Sequence, residues 1–137
     1  MLQVIQKSIQ TLFYLKKLYQ MLFEHTKDDR WKKRLGGFVK QKQRHLEILQ
    51  YMHLLASGKY YNYEPASMQH HSKGDLVYVT LENEVMNIRW HYELFTYVLG
   101  TRKHVLKQSL HQSLECAKVL VEMIDDSMVR HIHLSDT

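Results

Sequence analysis

The residues that interrupt helices are concentrated in one part of this 137-residue chain. Its only proline is Pro65, and two of its five glycines, Gly58 and Gly74, flank the polar stretch GKYYNYEPASMQHHSKGD at residues 58–75. Proline and glycine both destabilise the interior of a helix. This distribution therefore predicts long helices on either side of one irregular connection.

Outside that connection, apolar side chains recur at intervals of three and four residues, the spacing that places them on one face of a helix. We expect four helices, at about residues 2–25, 29–57, 77–99 and 102–130. Their inward faces are predicted to carry, in chain order, Leu2, Ile5, Ile9, Leu12, Tyr19 and Leu22; Trp31, Leu35, Phe38, Lys42, His45, Leu49, Met52 and Ala56; Leu81, Val85, Ile88, Tyr92, Phe95 and Leu99; and Leu106, Leu110, Ser113, Ala117, Leu120 and Ile124.

The lengths of the connections predict the topology. Helices joined by only a few residues form antiparallel hairpins, which pairs the first helix with the second and the third with the fourth. In the first short turn, Thr26 followed by Asp29 has the form of a capping box. The connection at 58–75 can extend by ~3.3 Å per residue, against a rise of ~1.5 Å in a helix, so it can run the length of the bundle. We predict a single all-α domain over residues 1–137, a four-helix bundle of two antiparallel α-hairpins joined by a long crossover.

The inward face predicted for the second helix contains two polar residues, Lys42 and His45, between Phe38 and Leu49. Two similar helical hairpins joined by one long crossover resemble the ferritin-like superfamily and in particular its rubrerythrin-like members. In that family each hairpin supplies a glutamate from its first helix and Glu-x-x-His from its second, and these ligands converge on two irons in the bundle core. The resemblance implies a ferritin-like fold over nearly the whole chain.

Most of the iron ligands that this resemblance implies are replaced. In the second helix His45 takes the histidine position, but Lys42 stands where the glutamate is expected. In the fourth helix the same two positions fall on Ser113 and Cys116. The resemblance therefore implies a degenerate di-iron site.

The remaining two glutamate positions are less closely fixed by the sequence. In the first helix the position falls near Gln6 or Gln10. In the third helix it falls on Glu84, with Glu82 as the alternative. An acidic residue is thus kept in the third helix only.

A buried lysine needs a partner or must lose its proton. We hypothesise that Lys42 forms an ion pair with Glu84, and that His45 and Gln10 form hydrogen bonds around the pair. In the alternative interpretation Lys42 extends its ammonium group past the edge of the bundle, His45 is an ordinary buried histidine and Glu84 is solvated. No metal or cofactor is expected; if iron or another divalent metal binds, His45 and Glu84 are its candidate ligands.

The sequence has no glycine-rich phosphate loop, no Cys-x-x-Cys pair and no recognisable Ser/His/Asp order. A non-catalytic role, structural or in protein interaction, is therefore favoured, although the enzyme class is left open. The first alternative is a metal-binding ferritin-like oxidoreductase or iron-handling protein with altered ligands. The second is binding of an anionic partner or a nucleic acid by the basic face at residues 32–44, with nucleic acid the less favoured of the two because its known motifs are missing.

Further expectations concern partners and location. A second apolar row on the first helix, formed by Val4, Leu15 and Leu18, suggests more apolar surface than one core needs, which favours a homodimer or an unknown protein partner. There is one cysteine, no apolar run long enough to span a bilayer, and no pattern of an export signal at the first residues. We therefore expect a cytoplasmic protein.

Overall fold

The computed structural model describes the backbone of residues 1–63 and 73–135, and the side chains of residues 1–63 and 74–126. It has four α-helices in the order α1 (Leu2–His25), α2 (Asp29–Ser57), α3 (Lys73–Phe95) and α4 (Thr101–Ser135), and the described residues include no strand. The predicted fold class, an all-α four-helix bundle, is confirmed. Over the described residues, none of these helices has the length and hydropathy needed to cross a bilayer.

The short turn between α1 and α2 is fixed by two side chains. The carboxylate of Asp28 accepts hydrogen bonds from the backbone N–H groups of Arg30 and Trp31, at 2.9 and 3.3 Å. Thr26 instead donates its hydroxyl to the carbonyl of Leu22, at 2.6 Å. The predicted capping box is therefore wrong, because Asp28 caps α2 and Thr26 bonds back to the end of α1.

Contacts between helices give their relative directions. Lys7 in α1 lies over the ring of Trp90, and Tyr19, further along α1, bonds to Glu84, which is earlier in α3. The two helices are therefore antiparallel, and α3 begins at the end of the bundle where α1 ends. Since α2 runs back from that end, the connection from α2 to α3 joins opposite ends of the bundle.

Two apolar clusters fill the interior, one toward each end. On α1 they meet between Leu12, in the cluster near the α1 N-terminus, and Leu15, in the cluster near its C-terminus. On the other three helices, buried polar residues separate the two clusters; these are Lys42, His45, Thr80, Glu84, Asn87, His91, Ser109 and Ser113. The bundle therefore has a polar layer near its middle.

The apolar row predicted for the third helix faces the core only in part. Leu81 and Phe95 are partly buried against the two clusters, but Val85, Tyr92 and Leu99 are exposed, so the expectation is wrong for those three residues. Val85 is 53% and Tyr92 66% exposed, while the buried face of α3 includes Glu84, Asn87 and His91. The rule that the most apolar face points inward fails here because Glu84 and Asn87 of α3 bond to side chains on the other helices. The ends of the last two helices also differ from prediction, since α3 covers Lys73–Phe95 and α4 continues to Ser135.

Both apolar rows of α1 are buried inside the bundle. Val4 is 8% exposed, and Leu15 and Leu18 have no exposed surface. The surplus of apolar surface expected on the first helix is therefore absent, so these residues of α1 provide no apolar face for a dimer. Large apolar side chains are instead exposed on α3 and α4.

Candidate functional site

An ion pair lies at the centre of the bundle. The Nζ atom of Lys42 on α2 is 2.5 Å from Oε1 of Glu84 on α3, and neither side chain has any exposed surface. The structure thus places the two residues in direct contact, as the hypothesis of an ion pair requires. Removing two charges from water costs several kcal/mol per ion, so such a pair needs further hydrogen bonds to be tolerated.

Those hydrogen bonds come from α1, α3 and α4. Tyr19 donates its hydroxyl to Glu84 Oε1 and Asn87 donates its amide to Glu84 Oε2, both at 2.9 Å. Ser113 Oγ accepts from Lys42 Nζ at 3.3 Å and from Asn87 Nδ2 at 3.1 Å. We call Tyr19, Lys42, Glu84, Asn87 and Ser113 the central cluster. Each of the four helices contributes to it, so it ties together the middle of the bundle.

Two of the residues expected around the ion pair do not bond to it. Gln10 donates to the hydroxyl of Tyr61 at 2.7 Å, and the Nε2 atom of His45 is 2.7 Å from Oε1 of Gln112. The predicted hydrogen bonds from Gln10 and His45 to the pair are therefore wrong. Gln6, the other position considered on the first helix, pairs with His53 at 3.2 Å.

The contribution of α1 to the central cluster is Tyr19, a residue of the apolar row predicted for the inward face of the first helix. A tyrosine on such a row buries its ring, and its hydroxyl then needs a hydrogen-bond partner inside the protein. This requirement could have indicated from the sequence that Tyr19 bonds to a polar group in the core. Asn87 was also missed, although it lies three residues after Glu84 and therefore on the same face of α3.

A pair of buried histidines lies beside the central cluster. The rings of His45 and His91 have centroids 6.0 Å apart, and His91 Nδ1 is 2.9 Å from the backbone oxygen of Asn87. Burial, followed by the Lys42 ammonium group, lowers the pKa of His45 to about 3. Burial also lowers the pKa of His91 to about 4, against the opposing effect of its bond to Asn87. Both imidazoles are therefore neutral at pH 7.

Cys116 is buried at the edge of the same layer, and its thiol donates to Oε1 of Gln41 at 3.0 Å. Burial raises the pKa of this thiol to about 12, although the charge of Lys42 acts in the opposite direction. A nucleophilic cysteine requires a thiolate near neutral pH. Cys116 is therefore a packed, protonated thiol.

The residues of this layer do not fit the two irons that the ferritin-like resemblance implies. Glu84 is the only carboxylate in the central cluster, and both of its oxygens already accept hydrogen bonds. Among the side chains described, no three histidine, cysteine, aspartate or glutamate residues converge as a metal site needs. Above all, Lys42 places a positive charge where a cation would have to bind, and the two charges repel each other.

The basic stretch at residues 32–44 is divided by the fold. Lys42 is buried in the central cluster, and Arg34 lies 3.6 Å from Glu122 on α4. Lys33, Lys40 and Arg44 remain exposed. The surface that an anionic partner could contact is therefore less basic than the sequence suggests.

No protein-family model matches this chain, and no curated protein is similar to it. One solved structure that resembles it is a two-domain protein from Anabaena variabilis containing DJ-1/ThiJ/PfpI-like and ferritin-like domains. The TM-score is 0.67 at 16% sequence identity, and the alignment covers 93% of this chain and 36% of that one. The fold is ferritin-like. The chain spans about a third of that protein's length, and at this identity the similarity describes the fold alone.

Proposed function

We propose that this chain is a non-catalytic ferritin-like bundle with a structural or protein-interaction role. The observation that carries the proposal is the Lys42–Glu84 ion pair, buried where the bundle is most polar. In a ferritin-like protein with iron, carboxylates in the core would neutralise the metal charge. Here an ammonium group neutralises the carboxylate instead.

The geometry makes exchange of this ammonium for a metal unfavourable. A cation that reached Glu84 would have to displace the Lys42 bond and leave the ammonium group unpaired in a fully buried position. Breaking a buried pair in this way costs about 3–5 kcal/mol, before the repulsion between the two cations is counted. The polar layer therefore supports a role in holding the four helices together.

The other candidates for catalysis give no better support. His45 and His91 are neutral and buried, and the thiol of Cys116 is protonated. General acid–base catalysis needs a group that can titrate near the working pH and reach a substrate. These three side chains meet neither condition, since their pKa values lie far from 7 and all three are buried.

Support for an interaction role comes from the outside of the bundle. Several large apolar side chains on α3 and α4 are about half exposed or more, namely Tyr78, Val85, Tyr92, Leu114 and Val121. Extended apolar patches on a protein surface are typical of sites that contact another protein. We propose that a second copy of the chain is that partner.

The test of the core proposal is metal analysis of untagged protein after incubation with Fe(II), Mn(II) or Zn(II) and gel filtration. We expect far less than one metal per chain. The matched comparison is His45→Gln and Glu84→Gln, each measured in the same way. Stoichiometric metal in the unaltered protein that disappears in both variants would overturn the proposal in favour of a metal-binding oxidoreductase or iron-handling protein.

A further inference from the structure

The outer face of α3 carries an ordered row of exposed side chains. At alternating steps of four and three residues it reads Tyr78, Glu82, Val85, Arg89 and Tyr92. This spacing places all five on one face of the helix. Tyr78 is 51%, Val85 53% and Tyr92 66% exposed, which is high for large apolar side chains arranged in line.

The row is symmetric about Val85. Each tyrosine lies seven residues from Val85, or ~10.5 Å along the helix at ~1.5 Å per residue. Between the valine and each tyrosine lies one charged residue, Glu82 on one side and Arg89 on the other. The order of residue types is therefore the same from either end, except that the sign of the charge is reversed.

A surface with this property is complementary to a second copy of itself rotated by 180°. We infer that this face of α3 is a homodimer contact, in which α3 of one copy packs antiparallel to α3 of the other about a two-fold axis at Val85. This inference rests on the proposed interaction with a second copy, and it adds the contacting face and the relative orientation of the two copies. It sets Tyr78 opposite the partner's Tyr92, and Val85 opposite the partner's Val85.

The charges favour the antiparallel arrangement. About the axis at Val85, Glu82 of each copy lies opposite the partner's Arg89, which gives two ion pairs across the contact. A parallel arrangement would instead set glutamate against glutamate and arginine against arginine, which is repulsive. Within the described part of one chain, neither Glu82 nor Arg89 takes part in an ion pair.

Residues of α4 widen the apolar surface. The hydrogen bond between Asn87 and Ser113 sets the register of the antiparallel α3–α4 pair. In this register Leu114 is nearly level with Val85, and it is 47% exposed; Val121, one heptad later and 45% exposed, is nearly level with Tyr78. We include these two side chains in the proposed contact, which then spans both helices of the second hairpin.

The proposed contact is small for a protein–protein interface. From Tyr78 to Tyr92 the row is ~21 Å long, and two packed helices are roughly 20 Å wide. This gives a footprint of roughly 400 Å² per copy, about half the area that a standard interface buries on each partner. We therefore expect a reversible dimer with a dissociation constant on the order of micromolar rather than nanomolar.

The first test is sedimentation equilibrium of the full chain between 5 and about 500 µM, with Val85→Glu and Leu55→Glu as a matched pair. Both substitutions add one carboxylate at an exposed apolar position, but Leu55 lies on α2, away from the row. We expect Val85→Glu to weaken dimerisation by at least about thirtyfold, because two glutamates would meet at the axis, and Leu55→Glu to have no effect. Circular dichroism of each variant verifies that the helices are retained.

The inference is overturned if the unaltered chain is monomeric at 500 µM, if Val85→Glu leaves the dimer unchanged, or if Leu55→Glu weakens it equally. Metal content measured on the same samples keeps the two proposals apart. A metal-free monomer would contradict the proposed dimer and support the proposed metal-free core. A metal-loaded dimer would support the dimer and contradict the metal-free core.

A charge-reversal experiment tests the antiparallel pairing itself. Glu82→Arg and Arg89→Glu should each weaken dimerisation by about three- to tenfold, since each removes both ion pairs. An equimolar mixture of the two variants should dimerise, because every facing pair is then of opposite sign. The double variant Glu82→Arg with Arg89→Glu should also dimerise as the unaltered chain does. If neither the mixture nor the double variant recovers dimerisation, the pairing of α3 with α3 is wrong.

Discussion

Replacing Lys42 by methionine removes the ammonium group from the central cluster and keeps most of the side-chain volume. Glu84 then stays fully buried without a counter-charge. Losing one partner of a buried ion pair costs about 3–5 kcal/mol. We expect a value near the lower end, about 3 kcal/mol, because Glu84 keeps its hydrogen bonds from Tyr19 and Asn87. For a chain of this length that corresponds to a decrease of about 10 °C in the Tm.

The assay is urea denaturation of the unaltered chain and of Lys42→Met, followed by circular dichroism at pH 7. The control is the double variant Lys42→Met with Glu84→Gln, which removes both charges and leaves an amide that can still accept from Tyr19. The double variant should recover all but about 1–2 kcal/mol of the free energy of unfolding, since its core holds no unpaired charge. If Lys42→Met lies within about 1 kcal/mol of the unaltered chain, or if the double variant is no more stable than the single one, the ion pair does not hold the core as argued.

Three further predictions concern the same layer. His45 and His91 have pKa values of about 3 and about 4 in the folded chain, so the unfolded chain, with its ordinary pKa near 6.5, binds more protons as the pH falls. The free energy of unfolding should therefore decrease below about pH 6.5, by roughly 2 kcal/mol per histidine at pH 5. Denaturation at pH 7 and at pH 5 should show a smaller decrease for His45→Gln and for His91→Gln than for the unaltered chain. Lys42→Glu restores the Glu-x-x-His spacing with His45 but buries two carboxylates; it should lower the Tm of the metal-free chain, and Mn(II) should raise that Tm only in this variant. Cys116 should react with a thiol reagent at the rate of global unfolding, so rapid labelling of the native protein would contradict its buried, protonated state.

The sequence was sufficient to predict the topology and one central contact. The scarcity of helix breakers and the single long connection predicted the two hairpins. The unusual position of Lys42 on an inward face predicted its ion pair with Glu84. The rotation of α3 about its own axis was not predicted, because the row that includes Val85 and Tyr92 is the most apolar face of that helix. Its inward face is defined by hydrogen bonds to three other helices, and a pattern read along one helix contains no information about them.

The polar layer can determine which face of α3 points into the bundle. α3 has two faces that could point inward, the polar one with Glu84 and the apolar one with Val85, separated by ~100° around the helix axis. A buried polar network penalises every arrangement that leaves its members unpaired, so the ion pair can select one rotation of α3 even where its net stabilisation is small. Replacing Lys42 and Glu84 together by leucine should then preserve stability but weaken this selection, and α3 should sample the rotation that buries Val85. In a Val85→Cys background, at protein concentrations well below the dissociation constant of the dimer, the introduced thiol should label rapidly when the ion pair is present. It should label several-fold more slowly in the double-leucine variant, with Cys116 as the buried reference. Equal labelling rates in the two backgrounds would show that Asn87, His91 and apolar packing fix the rotation without the ion pair.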